Sequence, residues 1–151
     1  MKLYNYFRSS ASFRVRIALN IKGLPYEYLP VHLLRGEHRD PAYANLVGDA
    51  LVPALVTDEG AVLPQSMAIM EYLEELQPTP ARLPATLVGR ARVRALAQVV
   101  ACEIHPLNNL RVLKYLTGTR QANEDAKNAW YHHWVREGLE AIERQLVLLS
   151  A

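Results

Sequence analysis

The chain has 151 residues, half of them hydrophobic and 21% charged, with a formal net charge of +2. That composition excludes a disordered or collagen-like chain; no run of about 18 apolar residues is present, so no transmembrane helix is expected, and the opening Met1–Ser10 lacks the apolar stretch of a signal peptide. Residues 1–80 carry 7 Lys/Arg against 9 Asp/Glu and residues 81–151 carry 10 against 6, an excess too small for a nucleic-acid stripe, suited to small anions, and equally that of a solvated helical surface.

In chain order, Lys2–Phe7 alternates and reads as a strand. Ser9-Ser10-Ala11-Ser12 starts a helix through Ile21, because hydroxyls there cap free amides; Val15, Ala18, Leu19 and Lys22 have helical spacing, and Gly23 sits where the helix should stop. Tyr26–Val31 is a second strand. A charged loop, expected to be mobile, covers 32–40, and Pro41 opens a short helix. Leu51–Val56 is a strand entered through Pro53, and Asp58-Glu59-Gly60 turns it into a returning strand at Ala61–Leu63. A helix follows with Ser66 as its N-cap, Met67, Met70, Leu73 and Leu76 along one face, and Glu71, Glu74 and Glu75 toward water. This order, βαβ then α, ββ and α, predicts a small mixed α/β sheet with helices on its faces.

Gln77–Pro84, with three prolines, divides the chain into domains at 1–80 and 85–151. From Ala85 to about Leu116 the periodicity is that of one long helix, bent near Glu103 by Pro106. After a turn between Gly118 and Asn123, a last helix carries the stripe Trp130, Trp134, Leu139, Ile142, Leu146 and Leu149. Two helices cannot bury both stripes alone, so a further C-terminal part, or another chain, is expected to cover them.

Three short motifs carry chemistry. Arg8–Leu19 joins a strand to a helix N-terminus and places three hydroxyls where free N–H groups and the helix dipole favour an anion. No base accompanies them, so they are not nucleophiles; they are suited to donating hydrogen bonds to a ligand's thiolate, a group whose pKa falls in such a place. Plain helix capping accounts for them equally. Val52-Pro53 suits a cis peptide that would present the Val52 backbone to a peptide-like ligand, or an ordinary proline opening a strand. Gln65-Ser66, at a helix start, suits a carboxylate, or is a bare cap.

In order and spacing these stretches resemble the zeta class of glutathione transferases, the maleylacetoacetate isomerase family. Ser9-Ser10-Ala11-Ser12-Phe13-Arg14-Val15-Arg16-Ile17-Ala18-Leu19 follows that class's Ser-Ser-Cys-x-x-Arg-Val-Arg-Ile-Ala-Leu signature. Val52-Pro53-Ala54-Leu55, Gln65–Glu75, Pro78-Thr79-Pro80 and Ile104–Leu110 extend the likeness over nearly the whole chain. The resemblance implies a thioredoxin-like α/β N-terminal domain (βαβ-α-ββα) and an all-α glutathione-transferase-type C-terminal domain that is incomplete here, and a cytoplasmic homodimer that binds glutathione and a small anionic substrate. It implies that Ser9 hydrogen-bonds the glutathione thiolate with Ser10 and Ala11 beside it, that Val52 pairs with the cysteinyl backbone, and that Gln65 and Ser66 hold the γ-glutamyl end. His105, Asn109 and Arg111 would line the cleft from the helical domain, and His38 would meet the glycyl end.

The implied reaction belongs to aromatic catabolism: isomerisation of maleylacetoacetate, or maleylpyruvate, to the fumaryl form by thiolate addition, rotation and elimination. Ser9, Ser10 and Arg14 are then the catalytic candidates, and Arg8 and Arg111 the cations for the substrate's charge. Arg14 and Arg16, two apart on a helix, face different ways, so one of them is structural. Two departures stand out. The family's signature cysteine is Ala11 here, and Asn45–Ala50 lacks the family's Asn-Pro pair, which leaves the loop before Val52 open. The competing readings are a transferase or dehalogenase acting on small α-halo acids, and a non-catalytic binding module. Cys102 reads as a small buried hydrophobe, too isolated for a disulfide or a zinc site and at home in a reducing compartment. The adjacent His132 and His133 point apart and no metal is expected; Trp130 and Trp134 read as core, and Arg90, Arg92 and Arg94 as a solvated face.

Overall fold

Strand β1 (Lys2–Asn5) is the sheet's inner parallel strand, flanked by β2 (Glu27–Pro30) in parallel and β3 (Ala54–Val56) antiparallel, with β4 (Val62–Pro64) beyond β3. Leu3 lies opposite Tyr28 on one side and Leu55 on the other, and Leu55 opposite Leu63. The computed structural model describes residues 1–150. It separates into two compact units, Met1–Arg82 and a second from Leu83 onward.

The first unit is built as the pattern predicts, with shorter strands. Helix α1 (Ser10–Lys22) ends at Gly23, whose φ of 65° a residue with a Cβ rarely adopts. Its inner face, Val15, Ala18 and Leu19, meets Leu3, Leu55, and Ile69 and Leu73 of helix α3 (Ser66–Leu76). The segment read as a mobile loop is folded instead into two 3-10 turns, Leu33–Arg35 and Glu37–Arg39, leading into α2 (Pro41–Val47). Glu37 closes the first by accepting from the His32 amide at 2.6 Å, a bond the charge pattern alone does not show.

The burial of α3 differs from expectation. Ile69 and Leu73 are its core residues, Leu76 is exposed, and Glu74 is buried rather than solvated. The reason is an ion cluster: Lys22, whose side chain has no exposed surface, meets Glu74 at 2.8 Å, and Arg82 meets it at 3.0 Å. Lys22 also donates to the Pro80 carbonyl at 2.5 Å and Arg82 to the Met70 carbonyl. The proline-rich segment is thereby fastened to the ends of α1 and α3. Both Val52–Pro53 and Thr79–Pro80 are cis.

In the second unit the predicted single long helix is several. Helix α4 (Leu87–Gln98), capped by Thr86 accepting from the Gly89 amide at 3.1 Å, runs into a π-helical stretch, Val99–Ile104. That wider turn precedes Pro106, which has no N–H and would otherwise crowd the carbonyl four residues back. Short α5 (His105–Asn108) breaks at Asn109, which is extended (φ −75°, ψ 163°) and caps α6 (Leu110–Gly118). In α7 (Glu124–Ser150), Gly138 lets Ile104 reach the backbone: a Cβ there would lie 2.1 Å from Ile104 Cγ1. Trp130 and Trp134 pack edge-on at 5.7 Å but are half-buried rather than core, and Trp130 Nε1 donates to the Leu107 carbonyl at 2.9 Å. Cys102 is exposed, against expectation, because it lies on the outward side of the π turn. Leu139, Leu146 and Leu149 are likewise exposed.

Candidate active site

The head of α1 is assembled from backbone bonds around one hydroxyl. Ser9 is extended, and its Oγ accepts from the Ser12 amide at 3.2 Å, so it is the N-cap. Its amide donates to the Tyr6 carbonyl and its carbonyl accepts from Phe13, both at 2.9 Å. A hydroxyl has one proton and two lone pairs. Capping uses a lone pair, so the Ser9 proton is still available to a ligand anion. The first turn of α1 contains no acidic side chain, and the helix N-terminus therefore keeps its full attraction for negative charge. Ser12 is buried and accepts from the Tyr6 amide at 3.5 Å, an internal strut. Ser10 is exposed and Ala11 buried, and the Ala11 amide is among the first-turn donors without an intrahelical acceptor. Arg8 is exposed in the turn before Ser9.

The two arginines of α1 do face different ways. Arg16 braces β1 and the turn after it, donating to Asn5 Oδ1 and to the Phe7 carbonyl, each at 3.3 Å. Arg14 donates to Ser66 Oγ at 3.1 Å and so joins α1 to α3 at its start. Ser66 is not the N-cap the sequence suggests. It is the first residue of α3; Gln65 precedes it with φ 68° and makes no side-chain cap. A positive φ at a residue with a side chain is a strained conformation that its surroundings must hold.

The loop before Val52, open on sequence grounds, has a definite structure. Helix α2 stops at Gly48, then Asp49 accepts from the Leu51 amide at 3.0 Å and, with its other oxygen, from Gln65 Nε2 at 3.4 Å. The Leu51 carbonyl accepts from the Tyr43 hydroxyl at 2.5 Å. Burial, with the Asp49 and Tyr4 charges behind it, pushes the Tyr43 hydroxyl well above its usual pKa, so it stays a proton donor. Among the described residues, neither the amide nor the carbonyl of Val52 has a backbone partner. Asp49 and Tyr43 are the residues that sequence reasoning missed. The only hint was the Gly48-Asp49 turn pair; their partner Leu51 gives no signal of its own.

In the first unit Arg14 thus meets Ser66 directly, and Asp49 links Leu51, the residue before Val52, to Gln65, the residue before Ser66. His38 is half-buried in the turn Glu37–Arg39. In the second unit, His105 opens α5 and is half-buried, Asn109 Oδ1 accepts from the Arg111 and Val112 amides at 3.1 and 3.2 Å, and Arg111 is exposed in the first turn of α6. Asn109 therefore has a capping duty of its own. Among the described residues no group of three His, Cys, Asp or Glu side chains is placed to hold a metal, and no helix is long and apolar enough to cross a membrane.

Residues 8–76 match the family model described as glutathione S-transferase, N-terminal domain. A maleylpyruvate isomerase from Ralstonia is 56% identical over 149 residues, covering 98% of this chain and 69% of its own. The holo structure of a maleyl pyruvate isomerase, described as a bacterial zeta-class glutathione S-transferase, superposes with a TM-score of 0.90 at 56% identity, over 93% of this chain and 66% of that one. A maleylacetoacetate isomerase from Anaeromyxobacter dehalogenans, with dicarboxyethyl glutathione and citrate in its active site, superposes with a TM-score of 0.81 at 41% identity, over 95% of this chain and 66% of that one. The chain spans about two thirds of the length of these relatives.

Proposed function

Because this chain belongs to the zeta class of the glutathione S-transferases, the maleylacetoacetate isomerase family, we propose that it is a glutathione-dependent cis–trans isomerase of maleyl keto acids, maleylpyruvate or maleylacetoacetate. The observation that carries this reading is the Ser9 hydroxyl at the head of α1, its lone pair used by the cap and its proton left to give.

The residues fit the tripeptide. Val52 offers an amide and a carbonyl that have no backbone partner among the described residues, groups of the kind a peptide backbone pairs with. Gln65 and Ser66, with Arg14 behind the serine, offer an amide, a hydroxyl and a positive charge to a carboxylate. Ser9, Ser10 and the Ala11 amide converge on the helix N-terminus, where a thiol is most easily ionised. Glutathione, when bound, supplies the thiolate whose addition to the cis double bond makes it a single bond able to rotate, and whose departure restores the double bond as trans. The work left to the chain is electrostatic. Ser9 donates to the sulfur and keeps it anionic at neutral pH; Ser10 and the helix dipole add to the same effect. Arg8, exposed beside Ser9, attracts the substrate's carboxylates and the negative charge that develops on its keto oxygen. Nothing in this scheme uses a side chain at position 11, so Ala11 in place of cysteine leaves it whole. His38 serves the tripeptide's glycyl end, and the working form is a homodimer in the cytoplasm.

The relative holding dicarboxyethyl glutathione beside citrate supports this chemistry, since that ligand carries two carboxylates on the glutathione sulfur. The test is to mix the protein with glutathione and maleylpyruvate or maleylacetoacetate and follow the loss of enol absorbance. Turnover that requires glutathione is expected. Conjugation of chloroacetate without isomerisation, or failure to bind glutathione in a calorimeter, rejects the reading in favour of a transferase or a binding module. Light scattering of the purified protein reads the dimer directly.

A further inference from the structure

The geometry assigns to Asp49 a positioning role: one carboxylate holds the Leu51–Val52 backbone and the Gln65 side chain in the orientation that receives glutathione. This rests on the glutathione reading above and adds a residue to it.

Asp49 lies between two residues with left-handed backbone, Gly48 at φ 86° and Ala50 at φ 53°. Ala50 has a Cβ, so the turn is held in a conformation that the chain alone disfavours. What holds it is visible. Asp49 Oδ1 takes the Leu51 amide at 3.0 Å, and the Tyr43 hydroxyl, on α2, takes the Leu51 carbonyl at 2.5 Å. Both polar groups of Leu51 are thus fixed by side chains; its carbonyl shares a peptide plane with the Val52 amide, and among the described residues neither that amide nor the Val52 carbonyl has a backbone partner. Asp49 Oδ2 reaches across to Gln65 Nε2 at 3.4 Å, the other strained residue with a side chain at this edge. The two oxygens of one carboxylate therefore tie together the two segments that meet the tripeptide on either side. A carboxylate suits both because it accepts at two sites and donates at none. Asp49 touches neither the sulfur nor the double bond, so its effect belongs in the binding of glutathione and not in the chemical step.

Steady-state kinetics with glutathione and keto acid varied separately, on the full chain, test this. Asp49→Ala is expected to raise the glutathione KM and the calorimetric Kd about tenfold, the loss of one charge-assisted hydrogen bond. The kcat and the keto-acid KM stay within about twofold, as befits a group that acts on ground-state binding. Gln65→Ala raises the glutathione KM too, and the double variant falls short of the product of the two, because Asp49 acts partly through Gln65. Should the alanine variant fail to fold, Asp49→Asn keeps one acceptor oxygen and the shape, and is expected to raise the glutathione KM about threefold. An unchanged glutathione KM in a folded variant, a fully multiplicative double variant, or a drop in kcat with both KM values unmoved overturns the assignment. Wild-type protein that binds no glutathione overturns the functional reading and this role with it; wild-type binding unaltered by the substitution overturns this role alone.

Discussion

The Ser9 hydroxyl has one duty that is seen, the cap, and one that is proposed, the bond to sulfur, and the two are separable. As an N-cap it accepts from Ser12 at 3.2 Å, and alanine there costs about 1 kcal/mol of stability whereas glycine costs a few tenths. As the donor to sulfur it acts through a proton that alanine and glycine both lack. Both Ser9→Ala and Ser9→Gly are therefore expected to lower kcat about 10- to 100-fold, the loss of one hydrogen bond to a charged group. The glutathione KM should move by no more than about twofold. Only the alanine variant should lose measurable melting temperature. A glycine variant with full kcat would show that the serine is there for the helix alone. Arg14 is read differently once its partner is known. Its guanidinium rests on Ser66 Oγ at 3.1 Å, so under the proposed glutathione reading its substitution is expected to raise KM before it lowers kcat.

At the scale of elements, the clasp of Lys22, Glu74 and Arg82 joins the end of α1, α3 and the proline-rich segment. Burial of Glu74 works against its charge, but hydrogen bonds from Lys22 and Arg82 and their two positive charges outweigh it and hold its pKa below the ordinary 4.5. A carboxyl depressed by folding stabilises the fold fully above its ordinary value, and that contribution is lost as pH falls through the folded value. Urea midpoints of the wild type should accordingly drop below about pH 4.5, more steeply than those of Glu74→Gln. At neutral pH, Glu74→Gln leaves a lysine without solvent and is expected to cost about 3 kcal/mol, while Lys22→Met leaves Glu74 its arginine and should cost less. Equal losses, or equal pH slopes, would refute the clasp. Gly138 offers a second element-scale test. A glycine inside a helix normally gains about 1 kcal/mol on becoming alanine, but the new Cβ would sit 2.1 Å from Ile104 Cγ1. Overpacking of that kind costs about 1–3 kcal/mol, so Gly138→Ala should destabilise; a stabilised variant would mean that α7 and the π turn separate readily.

These same elements show what a sequence can and cannot disclose. The head of α1, its stop at Gly23 and the hairpin are legible because each is set by residues a few positions apart, whereas the Val52–Pro53 pair leaves cis and trans open and only the structure shows cis. Glu74 was misread as solvated because its partners stand 52 residues before it and 8 after it, and helical spacing says nothing of either. The break at Asn109 was missed because Pro106 suggested only a bend, and the cap that restarts the helix needs Asn109 extended. Hydrophobicity alone predicts Cys102 to be core, but it is exposed in the π turn. In the candidate site, Ser9, Val52 and Gln65 stand out through the order of motifs that carries the family resemblance; Asp49 and Tyr43 belong to the stretch leading to Val52, where that order fails, and only their side-chain contacts with Leu51 reveal them.

Across the whole molecule, every fully buried residue among those described lies in the first unit, and both tryptophans lie in the second. Ligand binding and unfolding can therefore be followed by two reporters. A ligand that binds only the native state at a hundred times its Kd adds about 2.7 kcal/mol, and for a unit of this size each kcal/mol is worth about 4–8 °C. Saturating glutathione should raise the melting temperature seen by circular dichroism by about 10 °C or more. No shift, at concentrations that saturate turnover, would mean that the tripeptide does not favour the folded chain over the unfolded one and would overturn the glutathione reading. Tryptophan fluorescence then tests the second unit's share. If His105, Asn109 and Arg111 hold glutathione or its substrate, the transition reported by Trp130 and Trp134 rises as well. If it stays where it was while the dichroism transition moves, those three residues take no part, and Asn109 is left with the duty its geometry already gives it, to start α6.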